Sequence, residues 1–427
     1  MSAFVPPVQH GMTVLNREAF KKSVSTLAMR VQAKRVGDLM KKLSSELLNQ
    51  PRLRNVVNGS DDTKLLLLRS DLRQEDIPKL PEEIRTVIEQ ASVGFEQHTI
   101  DLDYSYWTAD QLLHAVIPAE DAPASYTQIG HIAHMNLKEE FYPWKNLIGQ
   151  VILDKNKNIT TVVNKTNNID TTFRFFQMEI LAGEDNMIAQ VKESGCRFKF
   201  DFSKVYWNSR LHTEHDRLIQ KFKKNEYICD VFAGVGPFAL PAAKKGAIVY
   251  ANDLNPASYQ WLNENIKLNK ITKGIHPYNL DGREFIRKAV EDLQATSEEW
   301  KTFDHFVMNL PATAIEFLDT FHGLYRDQKV RYDASQSAKL PMIHCHCFTK
   351  SSEPANDILE RASQVIGAPI DRATSVAHWV RNVAPKKDMY CLSFRLSPEV
   401  AFASNGKRKL EADDNKADEA QQKTSRK

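Results

Sequence analysis

From Tyr227 onward the chain alternates between two kinds of segment, and this rhythm limits its fold more than any other feature. YICDVFAG, AIVYAND, GIHPYNLD, FDHFVMN and KLPMIHCHCF read as strands. Between the first four lie helical stretches: PFALPAAKKG, NPASYQWLNENIKLNK and REFIRKAVEDL. In the second of these, Asn255 is placed to cap and Pro256 to open the first turn, where a missing N–H costs nothing. Strands alternating with helices predict an α/β, Rossmann-like, doubly wound parallel sheet. AHWVRNVAP and DMYCLSFRL follow with a tight connection between them, so the last strand is expected to run antiparallel.

Ligands of such sheets sit at the carboxyl ends of the strands. Phe232-Ala233-Gly234-Val235-Gly236-Pro237 follows the first strand, and its glycines allow a sharp turn and close backbone approach. Asp253 ends the second strand, where a carboxylate can hold ribose hydroxyls, and Asp281 follows the third. A tight turn plus two capping acids would explain any one of these. Three features after three successive strands favour a nucleotide-like ligand. The loop has Ala239 where a dinucleotide fingerprint has its third glycine, and no Lys-Ser/Thr for a triphosphate. The fourth strand ends in Asn309-Leu310-Pro311, with Thr313 and Glu316 spaced as a capping box for a following helix.

The rest of the chain adds context. With 427 residues, 26% charged and 42% hydrophobic, it can bury the cores of two or three domains. A net charge of +3 confines any nucleic-acid surface to a local patch. Five scattered cysteines point to a reducing compartment rather than a disulfide framework, and no apolar run reaches the ~18 residues of a membrane span. Residues 17–95 read mainly helical, so 1–140 is expected to be a mainly helical or mixed domain. Within it, 17–42 carries eight Lys/Arg against Glu18 and Asp38, the pattern of an organelle-import segment or of a solvated helix face. NLIGQVILD, ITTVVNK and FRFFQMEIL, followed by the alternating RFKFDFSKVYW, predict a small β-rich domain over 141–208. A larger domain over 209–400 follows, then a polar tail over 401–427, expected to be disordered, with a basic cluster at Lys407-Arg408-Lys409.

Four segments together resemble a known family. The glycine loop alone is similar to the first motif of class I S-adenosylmethionine-dependent methyltransferases. VYWNSRLHTEHDRLI, DVFAGVGPFALPAAKKGAIVYANDLNP, NLDGREFI and VMNLP resemble the tRNA (guanine-37-N1)-methyltransferases of eukaryotes and archaea, over about 145–395. The resemblance implies a class I methyltransferase sheet, S-adenosyl-L-methionine as cofactor and tRNA as partner, gripped also by the N-terminal domain. It implies a monomer, found in cytoplasm, nucleus and mitochondrial matrix. It places the general base at Glu214, a charge-stabilising Arg at Arg174, an orienting Arg at Arg210, and the N-x-P motif at Asn309 and Pro311. Cofactor contacts fall on His215, Gly234, Gly236, Asp253, Leu254, Asp281, Gly282 and again Asn309.

The chemistry is consistent with these roles. Guanine N1 must lose its proton to attack a methyl sulfonium, which a carboxylate within reach can accept. Negative charge then builds on the exocyclic oxygen, where an Arg would stabilise it. Leu310 and Ala312 stand where exocyclic-amine methyltransferases often have a second proline and an aromatic, so Tyr206 or Trp207 is expected to hold the base. Arg197, Lys199, Lys204, Arg210 and Arg217, interleaved with Phe198, Tyr206 and Trp207, suit RNA. His344-Cys345-His346-Cys347 alternates across a strand, so only two of the four share a face, too few for a metal. Methylation at another RNA position, and a catalytically silent RNA-binding subunit, remain the other readings.

Overall fold

The computed structural model describes residues 3–404 except 61, 120–121, 170–175 and 333–339. Arg174 and the tail with Lys407–Lys409 therefore lie outside the described residues. The chain divides into two compact units: 1–171 with 175–189, and 172–174 with 190–427. Residues 141–208, read as one small domain, fall on both sides of this division. Among the described residues no helix is long and apolar enough to cross a membrane.

The first unit is built on two sheets. Strand β1 (Lys22–Gln32) is followed by helix α1 (Val36–Lys42), β2 (Val56–Asn58), β3 (Thr63–Leu67), helix α2 (Glu82–Ala91) and β4 (Gly94–Leu102). The strands form an antiparallel sheet in the order β2-β3-β1-β4. This corrects the mainly helical expectation for 17–95. The cause is visible in β1: Leu27, Met29 and Val31 pack in one apolar cluster, while Val24 and Ala28 belong to another. A strand buried on both faces is a continuous apolar run, which periodicity does not distinguish from a buried helix. Nor is the basic segment 17–42 one helix: Lys22–Gln32 is a central strand, and a short 3-10 turn and α1 follow it.

Helix α3 (Ala109–Val116), β5 (Thr127–Ile129), β6 (Ile132–Met135), helix α4 (Lys145–Lys155), β7 (Thr161–Ile169) and β8 (Phe176–Gly183) complete this unit, the strands ordered β5-β6-β7-β8. NLIGQVILD, expected as a strand, is therefore most of α4. Ile148, Val151 and Ile152 are buried at helical spacing. Gly149 lets the helix lie on β8: a Cβ there would fall 2.6 Å from the Leu181 Cβ.

β9 (Ile188–Glu193), most of it in the second unit, and β10 (Cys196–Asp201) make a hairpin whose Phe198 and Phe200 point inward, as the alternation predicts. Helix α5 (His212–Lys221) leads into β11 (Tyr227–Asp230), α6 (Ala239–Lys244), β12 (Ile248–Asn252), α7 (Pro256–Leu268), β13 (Ile275–Tyr278), α8 (Gly282–Gln294) and β14 (His305–Met308). Then come β15 (Met342–Thr349), α9 (Pro354–Ile366), β16 (Val376–Ala384), β17 (Lys387–Arg395) and α10 (Pro398–Ala401). The sheet order is β13-β12-β11-β14-β15-β17-β16. β11 to β15 run parallel and β17 antiparallel to both neighbours, as expected. The order reverses between β11 and β14, which makes the gap beyond their carboxyl ends the natural ligand crevice. After β14 the predicted capping box does not form. Thr313 makes no side-chain cap bond, and 314–321 is a 3-10 turn.

Candidate active site

Asp230 is the last residue of β11 and is fully buried, and neither carboxylate oxygen has a hydrogen-bond partner. Burial, then the nearby Asp253 charge, pushes its carboxyl up to about 8. The loop that follows turns on Gly234 and Gly236, at φ +56° and +100°. These angles favour glycine, and a Cβ on Gly236 would also fall 2.2 Å from Leu240 Cδ1. Asp253 holds the loop in shape. Its carboxylate accepts from the Gly234 N–H at 2.9 Å and the Asn255 N–H at 2.9 Å. Burial moves Asp253 up to about 6 against those bonds.

Across the crevice Asn309 follows β14, and its side-chain oxygen is buried without a partner. Pro311 is pinned behind it, its carbonyl accepting from the Phe348 N–H at 3.0 Å. Beyond β12, Leu254 is exposed, and Asn279 braces its backbone by donating to the Asp253 and Leu254 carbonyls at 2.7 and 3.0 Å. Asp281 is an exposed N-cap of α8, accepting from the Arg283 N–H at 2.9 Å. Gly282 beside it is buried, and a Cβ there would meet Phe317 at 2.9 Å and Phe232 at 3.0 Å.

A second cluster centres on Glu214, in the first turn of α5 and only 2% exposed. Arg217 grips its carboxylate at both oxygens, Nε to Oε2 at 2.6 Å and Nη2 to Oε1 at 2.7 Å. His346 Nε2 lies 2.7 Å from Oε1. Burial opposes the charged form, and the bonds from Arg217 and His346 outweigh it, holding the carboxyl down at about 2. Glu214, His346 and Cys391 donor atoms lie within 4.8 Å of one another, a spacing a metal could use, but Arg217 supplies the cation there. His344 and His346 share this side of the sheet, while Cys345 and Cys347 lie in the apolar core opposite.

Residues 189–340 match the family described as the TRM5/TYW2 methyltransferase domain, and residues 109–186 match the TYW2 N-terminal domain. A protein of Batrachochytrium dendrobatidis named tRNA (guanine(37)-N(1))-methyltransferase is 47% identical over 96% of this chain and 95% of its own length. One of the same name from Phytophthora infestans is 45% identical over 92% of this chain and 94% of its own. The crystal structure of Trm5b from Pyrococcus abyssi matches 87% of this chain and 99% of its own, at 26% identity and a TM-score of 0.59. The chain belongs to the tRNA (guanine(37)-N(1))-methyltransferase family.

Within a tRNA (guanine(37)-N(1))-methyltransferase fold, the residues named from sequence divide into two groups. Gly234, Gly236, Asp253, Leu254, Asp281 and Asn309 gather along the carboxyl edge. Gly282 is there too, but the space beside it is filled by two phenylalanines. Glu214 lies in the ion cluster. His215, next to it, is turned away: its Nδ1 bonds Glu193 and its ring packs edge-on to Phe238 at 4.7 Å. Arg210 is exposed in the turn Ser209–Leu211. Trp207 is buried, stacked on Phe200 at 5.0 Å, and so is not available to hold a base; Tyr206, 49% exposed, is.

Sequence reasoning missed three residues. Asp230 was readable as an acid closing an otherwise apolar strand just before the glycine loop. Arg217 and His346 carried no such signal as partners of Glu214; His346 is 132 positions away from it.

Proposed function

We propose that this protein transfers a methyl group from S-adenosylmethionine to N1 of guanine 37 in tRNA. The observation that carries the proposal is the near full-length identity to relatives named for that reaction. The site supports it. Asp230 offers an unpaired buried carboxylate for a ligand's ammonium group, and Asn309 an unpaired amide oxygen across the same crevice. Leu254 offers an exposed apolar surface for a purine, and Asp253 and Asp281, which follow β12 and β13 at the same sheet edge, offer carboxylates for hydroxyl or amine groups. These residues suit S-adenosylmethionine, whose sulfonium supplies an electrophilic methyl group.

In this reading Glu214 takes the N1 proton, Arg174 stabilises the charge on the exocyclic oxygen, and Arg210 meets a phosphate or orients the base. Asn309, held by the Pro311 backbone, fixes the base against the cofactor edge. Tyr206 replaces the missing aromatic after Pro311 as a stacking surface. Guanine must leave its stack to reach the pocket, at a cost of a few kcal/mol. The proposal includes action as a monomer in cytoplasm, nucleus or mitochondrial matrix, which sedimentation and microscopy of the full chain test. The reaction itself is tested with labelled cofactor and two tRNA transcripts, one with G and one with A at position 37. Label should enter only the first; equal labelling overturns the assignment.

A further inference from the structure

Glu214 is held by two cationic side chains of different kinds. On the side of the sheet that meets α5, the register sets His346 of β15 beside Cys391 of β17, and Cys391 beside His378 of β16. The groups around the carboxylate are Arg217 on its own helix, His346, Cys391, and His378 at 3.9 Å. Lys221 on α5 adds positive charge to the cluster, and Asp230 adds an acid on the side of His346. Of the two close partners, His346 is fully buried on a central strand and cannot leave without disturbing the sheet. The Arg217 side chain is 23% exposed, at the end of a flexible stem one helical turn from Glu214.

A carboxylate gripped at both oxygens by a guanidinium is a poor proton acceptor, because a general base works best with a proton affinity near the operating pH. Guanidinium forks bind phosphate oxygens in the same bidentate geometry as carboxylates. We infer that Arg217 is a removable counter-ion: it clamps Glu214 in the free protein and exchanges the carboxylate for an RNA phosphate when the target base enters, while His346 stays and positions the carboxylate. The exchange is balanced. One Arg–carboxylate pair breaks, one Arg–phosphate pair forms, and the N1 proton passes to the freed Glu214 oxygen. The inference rests on the reading of Glu214 as the base.

The test is single-turnover methyl transfer to tRNA over a range of pH, with subsaturating and saturating protein, alongside tRNA binding at several salt concentrations. Subsaturating rates report groups of the free protein, and saturating rates report those of the complex. For Arg217→Gln we expect the acid limb of the subsaturating profile to move to higher pH, because the clamp that lowers the free carboxyl is gone. The saturating profile should keep its acid limb, and its plateau should fall by much less than the subsaturating rate. Its tRNA affinity should fall, with the salt dependence reduced by roughly one counterion. Arg217→Lys, which keeps the charge, should keep the salt dependence. His346→Ala should lower the saturated rate and leave the salt dependence unchanged, with partial recovery in His346→Gln. If Arg217→Gln lowers the saturated rate as much as the subsaturating one, or if the salt dependence is unchanged, Arg217 is a fixed partner and the inference fails. If Glu214→Gln transfers methyl at the wild-type rate, the reading beneath it fails instead.

Discussion

Two carboxylates of the second unit, one ending strand β11 and one in helix α5, are almost equally buried and are driven in opposite directions. Asp230 is fully buried with no partner and is pushed up to about 8. Glu214 is 2% exposed with three bonds from Arg217 and His346 and is held down at about 2. Burial raises both, so the difference lies in the partners. An acid left without a counter-ion inside a protein is destabilising and persists where a ligand completes it. An acid that already holds its cations is fixed, and it can do proton chemistry only after giving one of them up. In the proposed reading, the first is a binding site for a cation and the second a catalytic group in its resting state.

The comparison breaks most clearly at Glu214. Replacing it with Gln should lower single-turnover methyl transfer by roughly 10²–10⁴, the usual range for losing a general base. Cofactor affinity should stay within about threefold, since Glu214 is not on the cofactor edge in this reading. A parallel loss of cofactor affinity in equilibrium dialysis would show that the two acids share one function. Asp230→Asn should do the reverse, weakening cofactor binding by about one to two orders of magnitude, the worth of a charge-assisted hydrogen bond.

The same variant sharpens the comparison through pH. The folded Asp230 carboxyl, at about 8 against an ordinary 3.8, keeps a proton that the unfolded chain has released. Stability from this group is therefore present below about pH 4 and is lost as pH rises toward 8. Glu214, at about 2 against 4.5, contributes in the opposite sense: its stabilisation is present above pH 4.5 and lost as pH falls toward 2. At ~1.4 kcal/mol per pH unit these differences amount to at most about 6 kcal/mol for Asp230 and about 3 kcal/mol for Glu214. In Asp230→Asn, denaturant unfolding should lose the decline between pH 5 and 8 and keep the acid-side loss, with a net gain in stability at neutral pH.

How much of this was legible in the sequence depended on the range of the interactions involved. The strand–helix rhythm after Tyr227 is local, and so are Asn255 and Pro256 at the head of α7, the glycine loop, and the acids at the strand ends. All of these were read correctly in position. In β1 and α4 the pattern failed for one reason. Both are buried nearly all round, so Leu27–Val31 and Leu147–Ile152 offer the eye a block of apolar residues without a solvent face. The aromatic pair Tyr206-Trp207 could not be divided from sequence, because only the stack on Phe198 and Phe200 determines which ring is inside. The charge state of Glu214 was hidden for a related reason: one of the three bonds that set it comes from β15, 132 residues away. Alternation along IHCHCF did predict that His344 and His346 share a side, but not that a helix carrying an acid would lie across it.

The smallest expected effect is at Asn309, which tests whether an unpaired buried group of no charge belongs with Asp230. Its amide oxygen is buried and unbonded, so Asn309→Ala removes a group whose desolvation nothing repays. If the amide awaits the cofactor or the base, thermal stability without ligands should be unchanged or higher by about 1 kcal/mol. Methyl transfer should fall by about tenfold, the value of one neutral hydrogen bond made in the reacting complex. The variant should also lose most of the added thermal stability that saturating cofactor gives the wild type if the amide meets the cofactor, and keep it if the amide meets only the base. A drop of ~2 kcal/mol or more in the ligand-free protein would instead make Asn309 a structural joint between β14 and the turn at Pro311. Of the two, Asp230 alone would then remain as a polar group kept unpaired for a ligand.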